Sequence, residues 1–201
     1  MIKRELKVLV IVVLIISTAA LAGCADELVE QPLMMIWGID ERVSGFEGLE
    51  KEPEGVTVDY DNANILRVTW EVSESYILPI SATSEKELEG VRYLGSGIPQ
   101  SLEVEWLDPR ERQWYALDEI PAEMVKVNII EESGHYSIDF GPPEGAEFRE
   151  GMFRVIWFRI TPVEPGYLTF NIYGYLPEED EAYPLDPISN VLALEAEVIE
   201  E

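Results

Sequence analysis

Short segments with a two-residue apolar period constrain the fold of this chain more than any other feature. Residues 66–72 put four apolar side chains on one face and three polar ones on the other, and residues 102–106 repeat the alternation. Successive side chains of a strand point to opposite faces, so this period is typical of a half-buried β-strand. Gly, Pro, Asn and Asp separate the segments at the spacing of a sandwich or barrel.

These turn signals divide the chain into predicted strands at residues 56–60, 65–72, 76–82, 91–94, 102–107, 113–117, 125–130, 135–140, 153–160, 167–175 and 191–199. Two other short segments, residues 84–89 and 118–123, have a helical pattern, and residues 192–198 fit either a strand or a terminal helix. Residues 33–37 are apolar enough for a strand or a packed plug. The pattern predicts an all-β fold, and we expect one elaborated β-sandwich.

The first 23 residues have the three-part layout of a secretory signal: a basic start, an apolar run and small residues. The apolar stretch of residues 8–21 is short for a membrane-spanning helix, which needs about 20 residues. Its end, Leu21-Ala22-Gly23-Cys24, resembles the lipobox of bacterial lipoproteins, in which the cysteine is diacylated and becomes the new N-terminus. The alternative is an ordinary signal or an uncleaved anchor, with Cys24 an incidental thiol.

The lipobox predicts a signal peptide at residues 1–23 followed by a lipidated N-terminus and spacer at residues 24–54, and the strand pattern predicts a β-sandwich domain at residues 55–201. The resemblance implies an extracytoplasmic protein held on the cell membrane or outer membrane through Cys24. Two acyl chains hold a protein firmly, because each buried methylene contributes about 0.8 kcal/mol. Ala25 after the cysteine implies no inner-membrane retention signal if the host has two membranes.

The net charge of −26 over 201 residues argues against several classes of function. Nucleic-acid binding needs a basic surface that displaces counterions, and anionic lipid surfaces attract basic segments. Residues 1–23 hold three basic residues and one acidic residue, so their removal leaves a protein near −28. A single Cys and a single His, His135, offer neither an internal disulfide nor a histidine-rich catalytic or metal site. We predict no enzymatic activity.

The segment Trp106–Trp114 predicts a hairpin with its turn at residues 109–111. In that register Trp106 lies opposite Trp114 on one face of the hairpin. Trp70 and Trp157 lie in strong strand patterns and are predicted core residues. Trp106 and Trp114, near the turn, are the candidate ligand-binding residues for stacking on a sugar, with burial in the core as the alternative.

The order of motifs from Trp106 to Val198 resembles immunoglobulin-like modules of bacterial surface-layer and cell-surface proteins. Its most distinctive element is the loop Phe140-Gly141-Pro142-Pro143-Glu144-Gly145. A long apolar strand and a strand opening on Pro165-Gly166-Tyr167 follow. In that family a Gly-x-Tyr-x-Phe strand supplies a core aromatic near a tight corner. The resemblance implies an immunoglobulin-like sandwich with a structural or adhesive role and no catalytic residues.

Two acidic segments are candidate cation sites. Calcium takes six to eight oxygen ligands, so Asp59, Asp61, Asn62 and Asn64, between two predicted strands, are the candidate metal ligands. They lack the full EF-hand pattern, and a turn in which these side chains bond the local backbone is the alternative. Residues 178–181, with Asp186, form an acidic loop that is either solvated or faces a cation or a basic partner.

These features predict a lipid-anchored extracytoplasmic β-sandwich with a structural or interaction role in the cell envelope. Its expected partners are the membrane, through Cys24, and an envelope protein or glycan. The alternative function is a ligand-binding module for carbohydrate or calcium on the cell surface. No cofactor is expected in the first case. Exposure of Trp106 and Trp114 separates the two functions, because a sugar platform needs both rings in solvent.

Overall fold

The computed structural model describes residues 31–39, 43–55, 64–132, 134–177 and 186–200. Contacts divide the chain into two units, and all described residues belong to the second, Gln31–Glu201. Within the described ranges the regular secondary structure is β, with no α-helix. Accordingly, these ranges contain no helix long and apolar enough to cross a membrane.

The strands of the described residues are β1 (Leu33–Trp37), β2 (Ile65–Glu71), β3 (Tyr76–Ser84), β4 (Leu88–Pro99), β5 (Leu102–Asp108), β6 (Gln113–Ala116), β7 (Lys126–Glu132), β8 (His135–Gly141), β9 (Ala146–Phe148), β10 (Phe153–Pro162), β11 (Gly166–Tyr175) and β12 (Leu192–Ile199). The pattern did not predict β9 or the full length of β4. The predicted strand at residues 56–60 lies outside the described residues.

Two sheets build the molecule. Sheet A has the order β1-β3-β10-β5-β6, and sheet B has the order β2-β12-β11-β4-β8-β7, with β9 paired to β4. β2 and β12 run parallel, whereas the pairs around β10 and β11 are antiparallel. The facing sides share one hydrophobic core, in which the rings of Phe140 and Phe158 meet at 5.1 Å and 89°. The fold is the predicted immunoglobulin-like β-sandwich.

The two-residue period decides which face of each strand is buried. In β2, Leu66, Val68 and Trp70 are buried in the core, while Arg67 and Thr69 are exposed. The C-terminal segment is a strand and not a helix, with alternate residues buried. Alternation over two strands of one edge therefore places a continuous apolar surface against sheet A.

The outer face of sheet A is covered by residues 43–55, which lie in the predicted spacer. The ring of Phe46 packs edge-on against Trp157 at 5.0 Å, and the Trp157 indole N–H donates to the Glu50 carbonyl oxygen at 2.5 Å. The Ile77 amide donates to the Glu54 carboxylate at 2.8 Å. β1, also from the predicted spacer, is an edge strand of sheet A. These contacts bury Trp157, as predicted, in a second small core.

The strand that opens on Pro-Gly-Tyr exposes its first aromatic side chain and buries the next. Tyr167 is 82% exposed, and its hydroxyl hydrogen-bonds the Glu197 carboxylate at 2.9 Å. Phe170 supplies the core aromatic of β11 instead, because it lies three positions later and points inward.

Candidate functional site

A cleft of about 570 Å³ opens between the two sheets at one end of the sandwich. We call it the Trp106 cleft; its inner lining includes Tyr93, Trp106, Phe140, Arg154 and Ile156. The β5–β6 turn, the β8–β9 loop and residues 123–125 surround its mouth. The cleft therefore brings together segments that are far apart in sequence.

Strand alternation explains why these side chains meet. Tyr93 of β4 pairs with Phe140 of β8, and their rings stack at 5.4 Å on the inner face of sheet B. Trp106 of β5 pairs with Phe158 of β10 on the inner face of sheet A. Arg154 lies four residues before Phe158, so it points to the same side of β10. An arginine thus projects between two sheets whose facing sides are otherwise apolar.

Arg154 has no acidic partner in the part of the chain that the structure describes. Its Nε donates to the Glu147 carbonyl oxygen at 2.8 Å, and its guanidinium carbon lies 5.8 Å from the centre of the Phe148 ring. No carboxylate of the described residues lies within ion-pair distance of it. Its Nη groups therefore keep free N–H donors beside the cleft.

Tyr93 lines the cleft, and its hydroxyl oxygen is buried from solvent. The side chain is 2% exposed, and its hydroxyl has no hydrogen-bond partner among the described residues. Burial raises the pKa of Tyr93, and the positive charge of Arg154 opposes that rise. An unsatisfied buried hydroxyl costs about 1–3 kcal/mol. The fold therefore keeps a neutral hydrogen-bond donor next to a cation at a measurable cost in stability.

The rim of the cleft is held by tight turns. The Gly145 amide donates to the Pro142 carbonyl oxygen at 2.8 Å, which closes the Phe-Gly-Pro-Pro-Glu-Gly loop. Gly145 has φ +77°, and a side chain there would collide with the backbone of Gly90. On the opposite rim, the Asp108 carboxylate accepts from the Arg110 amide at 2.9 Å and so fixes the β5–β6 turn. Both rims are preformed.

The predicted register of the β5–β6 hairpin is wrong. Trp106 lies opposite Tyr115, and Trp114 lies opposite Leu107. The loop spans residues 109–112, one more than predicted, because Arg112 adopts φ +55° and adds a loop position. That shift turns Trp106 and Trp114 to opposite faces of the hairpin.

The two candidate tryptophans consequently have different surroundings. Trp106 is half-buried against the main core and lines the cleft. Trp114 is half-buried on the other face, where the Arg159 guanidinium carbon lies 4.8 Å from the centre of its ring. The two rings do not form a joint platform, so a flat two-ring sugar site is not present at this hairpin.

The predicted metal ligands Asp59, Asp61 and Asn62 lie outside the described residues, as do Cys24 and residues 178–181. Asn64 is described, and its side-chain oxygen accepts from the Asn190 amide at 2.7 Å. Within the described ranges, no group of three or more His, Cys, Asp or Glu side chains is placed to hold a metal ion. The calcium site stays a prediction.

A second polar cluster, the Arg92 triad, lies on the outer face of sheet B. One oxygen of the Asp139 carboxylate accepts from the Arg92 Nε at 2.8 Å and from the Tyr175 hydroxyl at 2.7 Å. Arg92 and Asp139 are 7% and 8% exposed. Burial alone lowers the pKa of Arg92, and the hydrogen bonds and charges of Asp139 and Tyr175 outweigh it and raise that pKa.

Sequence reasoning missed Tyr93, Arg154 and the whole Arg92 triad. The available signal was the placement of a single arginine inside an otherwise apolar strand, as in Val91-Arg92-Tyr93-Leu94. A charged residue in such a strand needs a partner when it is buried. The pattern does not say which partner, because that depends on pairing between β4, β8 and β11.

No protein-family model and no curated protein sequence matches this chain. Among solved structures, a family 123 glycoside hydrolase from Clostridium perfringens has a TM-score of 0.38 and 12% identity; the match covers 70% of this chain and only 23% of that one. A cohesin module from a C. perfringens family 33 glycoside hydrolase has a TM-score of 0.40 and 13% identity, covering 66% of this chain and 91% of the module.

The C-terminal domain of the Streptococcus pyogenes antigen I/II-family protein AspA has a TM-score of 0.33 and 11% identity, covering 81% of this chain and 45% of that one. At these scores and identities the matches transfer no ligand, residue role or activity to this chain.

Proposed function

We propose that this chain is a lipid-anchored, extracytoplasmic β-sandwich that binds a ligand or partner in the cell envelope through the Trp106 cleft, without catalysis. One observation carries the proposal: the cleft combines a half-buried indole with an unpartnered Tyr93 hydroxyl and free Arg154 N–H groups. Binding sites commonly combine an apolar wall with a few convergent polar groups. The preformed rims reduce the entropy lost on binding.

The chemistry of the lining supports binding over catalysis. Asp108 is committed to its turn, and Glu111 and Glu123 are exposed at the rim. His135 begins β8, five residues before Phe140, and so lies about 17 Å along the strand from the cleft. General acid–base chemistry needs a group within hydrogen-bond reach of the reacting atom, and the sole histidine is too far away.

The two halves of the hairpin provide a matched test of cleft binding. Full-length protein in detergent micelles is screened against panels of envelope glycans and peptides, with Trp106→Leu and Trp114→Leu as the variants. We expect Trp106→Leu to abolish binding and Trp114→Leu to retain it, because only Trp106 lines the cleft. Circular dichroism confirms that both variants are folded. Equal binding by both variants would refute the proposal.

The tether is a separate part of the proposal. Cys24 is the lipidated residue that the lipobox predicts, and the strongly acidic chain beyond it favours solubility at the membrane surface. Cys24→Ala is expected to release the protein from the membrane fraction or to block its processing. Cys24→Ala protein that is processed and membrane-bound like wild type would contradict lipid anchoring.

Calcium binding at Asp59, Asp61, Asn62 and Asn64 is the second candidate function, favoured by the concentration of oxygen ligands in residues 59–64. One of these four candidate ligands, Asn64, also contributes to the fold, because its side-chain oxygen accepts a hydrogen bond from the Asn190 amide. A rise in melting temperature at millimolar calcium that is lost in Asp59→Asn/Asp61→Asn would support the site. No shift at that concentration would eliminate it.

A further inference from the structure

The protein contains two arginine–tyrosine clusters that lie back to back on the two faces of β4 and β8. Arg92 and Tyr93 are consecutive in β4, and Asp139 and Phe140 are consecutive in β8. Because side chains alternate, Arg92 and Asp139 point outward while Tyr93 and Phe140 point inward. Outside, Tyr175 completes the triad; inside, Arg154 reaches the cleft from β10.

The outer cluster shows how this protein satisfies a buried arginine and a buried tyrosine together. A single carboxylate oxygen of Asp139 accepts one hydrogen bond from Arg92 and one from Tyr175. The charge of the guanidinium is balanced, and the phenol hydroxyl has its acceptor.

The inner cluster has the same two donors and lacks the carboxylate. Tyr93 and Arg154 line the same cleft; burial raises the pKa of Tyr93, and the charge of Arg154 opposes that rise. The β8 residue paired with Tyr93 is Phe140, which provides no acceptor.

We propose that the Trp106 cleft recognises the carboxylate of its ligand between the Tyr93 hydroxyl and the Arg154 guanidinium, with an apolar or planar part of the ligand against Trp106. The inference rests on the proposed function and names the chemical class that the cleft takes. The neutral hydroxyl donates one hydrogen bond, and the planar guanidinium donates through its free Nη groups.

A monoanion fits the surrounding charge better than a phosphate does. Two arginines, Arg110 and Arg154, and three carboxylates, Asp108, Glu111 and Glu123, line the cleft, so its lining carries one negative charge in excess. A second negative charge on the ligand would meet repulsion from these carboxylates and from the acidic chain as a whole. Acidic sugars and peptide C-termini both carry a single carboxylate, so either source provides the required chemistry.

The test compares three small probes of similar shape: phenylacetate, phenylacetamide and phenyl phosphate. Full-length protein in detergent micelles is titrated with each by isothermal titration calorimetry, with tryptophan fluorescence as a second readout. We expect phenylacetate to bind at least tenfold more tightly than either other probe. N-acetylphenylalanine and glucuronate then distinguish a peptide C-terminus from an acidic sugar.

The variants isolate the two donors. Arg154→Gln is expected to weaken phenylacetate binding at least tenfold, and Tyr93→Phe several-fold. Arg67→Gln, which changes an exposed arginine paired with Glu195 on the outer face, is the matched control and should leave the affinity unchanged. Melting temperatures verify that each variant is folded, and Arg154→Lys, which keeps the charge and loses the planar donors, should recover only part of the affinity.

The outcomes separate this inference from the proposed function. Equal affinity for phenylacetate and phenylacetamide, tighter binding of phenyl phosphate, or no binding of any probe at 10 mM would each overturn carboxylate recognition. Cleft binding itself would still stand if Trp106→Leu abolishes, and Trp114→Leu retains, binding of a neutral glycan or peptide.

Discussion

The Arg92 triad and the Trp106 cleft share strands β4 and β8 but differ in how their polar groups are satisfied. On the outer face of sheet B, Asp139 satisfies both Arg92 and Tyr175. On the inner face, the described residues give Tyr93 no acceptor and Arg154 no carboxylate. Polar groups that complete one another stabilise a fold, whereas polar groups left incomplete in a cleft cost stability and are available to a ligand. The difference is consistent with a structural role for the outer cluster and with the ligand-binding role that we propose for the inner one.

The largest effect should come from breaking the outer cluster. Asp139→Asn leaves the buried Arg92 without its counter-charge, so we expect a loss of about 3–5 kcal/mol in the free energy of unfolding, measured with urea. Glu105→Gln is the control, because the Arg159–Glu105 side chains are 31% and 29% exposed. That control should lose less than about 1 kcal/mol. Similar losses of unfolding free energy in both variants would show that the Arg92 triad stabilises the fold no more than an exposed ion pair does.

Alkaline pH should weaken the fold through the inner face. Burial raises the pKa of Tyr93, and it raises that of Tyr136 to about 12. Above pH of about 10 the unfolded chain releases these protons while the folded chain keeps them, so stability falls as pH rises. Each such tyrosine contributes a slope of about 1.4 kcal/mol per pH unit. Urea unfolding between pH 9 and 11 gives the free energy of unfolding at each pH, and this energy should fall less steeply with pH in Tyr93→Phe than in wild type. An equally steep fall in both proteins would contradict the burial of a neutral Tyr93 hydroxyl.

Removing the inner arginine should have the smallest effect. Arg154→Met leaves no carboxylate unpaired, so the free energy of unfolding should stay within about 1 kcal/mol of wild type. Arg92→Met is the matched comparison, because it leaves the buried Asp139 carboxylate without its counter-charge. It should lower the free energy of unfolding several times more than Arg154→Met does. A large loss for Arg154→Met would indicate that this arginine is structural.

Most of the fold could be predicted from the sequence, because the two-residue period that forms each strand lies within a short segment of the chain. The two-residue period in β2 and β12 dictates a buried face, and Trp70 and Trp157 are core residues as their strand patterns predict. The hairpin register could not be predicted, because it depends on the positive φ of Arg112, which is not a glycine. The packing of residues 43–55 on sheet A depends on contacts such as Phe46–Trp157, more than 100 positions apart in the chain.

The site was harder to predict, because it also depends on contacts between residues that are far apart in the chain. Trp106 was a candidate from its position near a turn, but its pairing with Trp114 was wrong. Tyr93 and Arg154 come from β4 and β10, and they become neighbours only when the two sheets face each other. A residue that lacks a partner is also invisible in a sequence, since the partner's absence is a property of three-dimensional packing.

The stability difference between Tyr93→Phe and Tyr175→Phe tests the central claim most directly. Both changes remove one buried phenol hydroxyl, and urea denaturation measures both. The Tyr175 hydroxyl has an acceptor, so Tyr175→Phe should lose about 1–3 kcal/mol, whereas Tyr93→Phe removes an unsatisfied group and should leave the protein equally stable or more stable. A loss for Tyr93→Phe as large as that for Tyr175→Phe would show that the fold itself uses the Tyr93 hydroxyl, which would contradict a cleft that reserves it for a ligand.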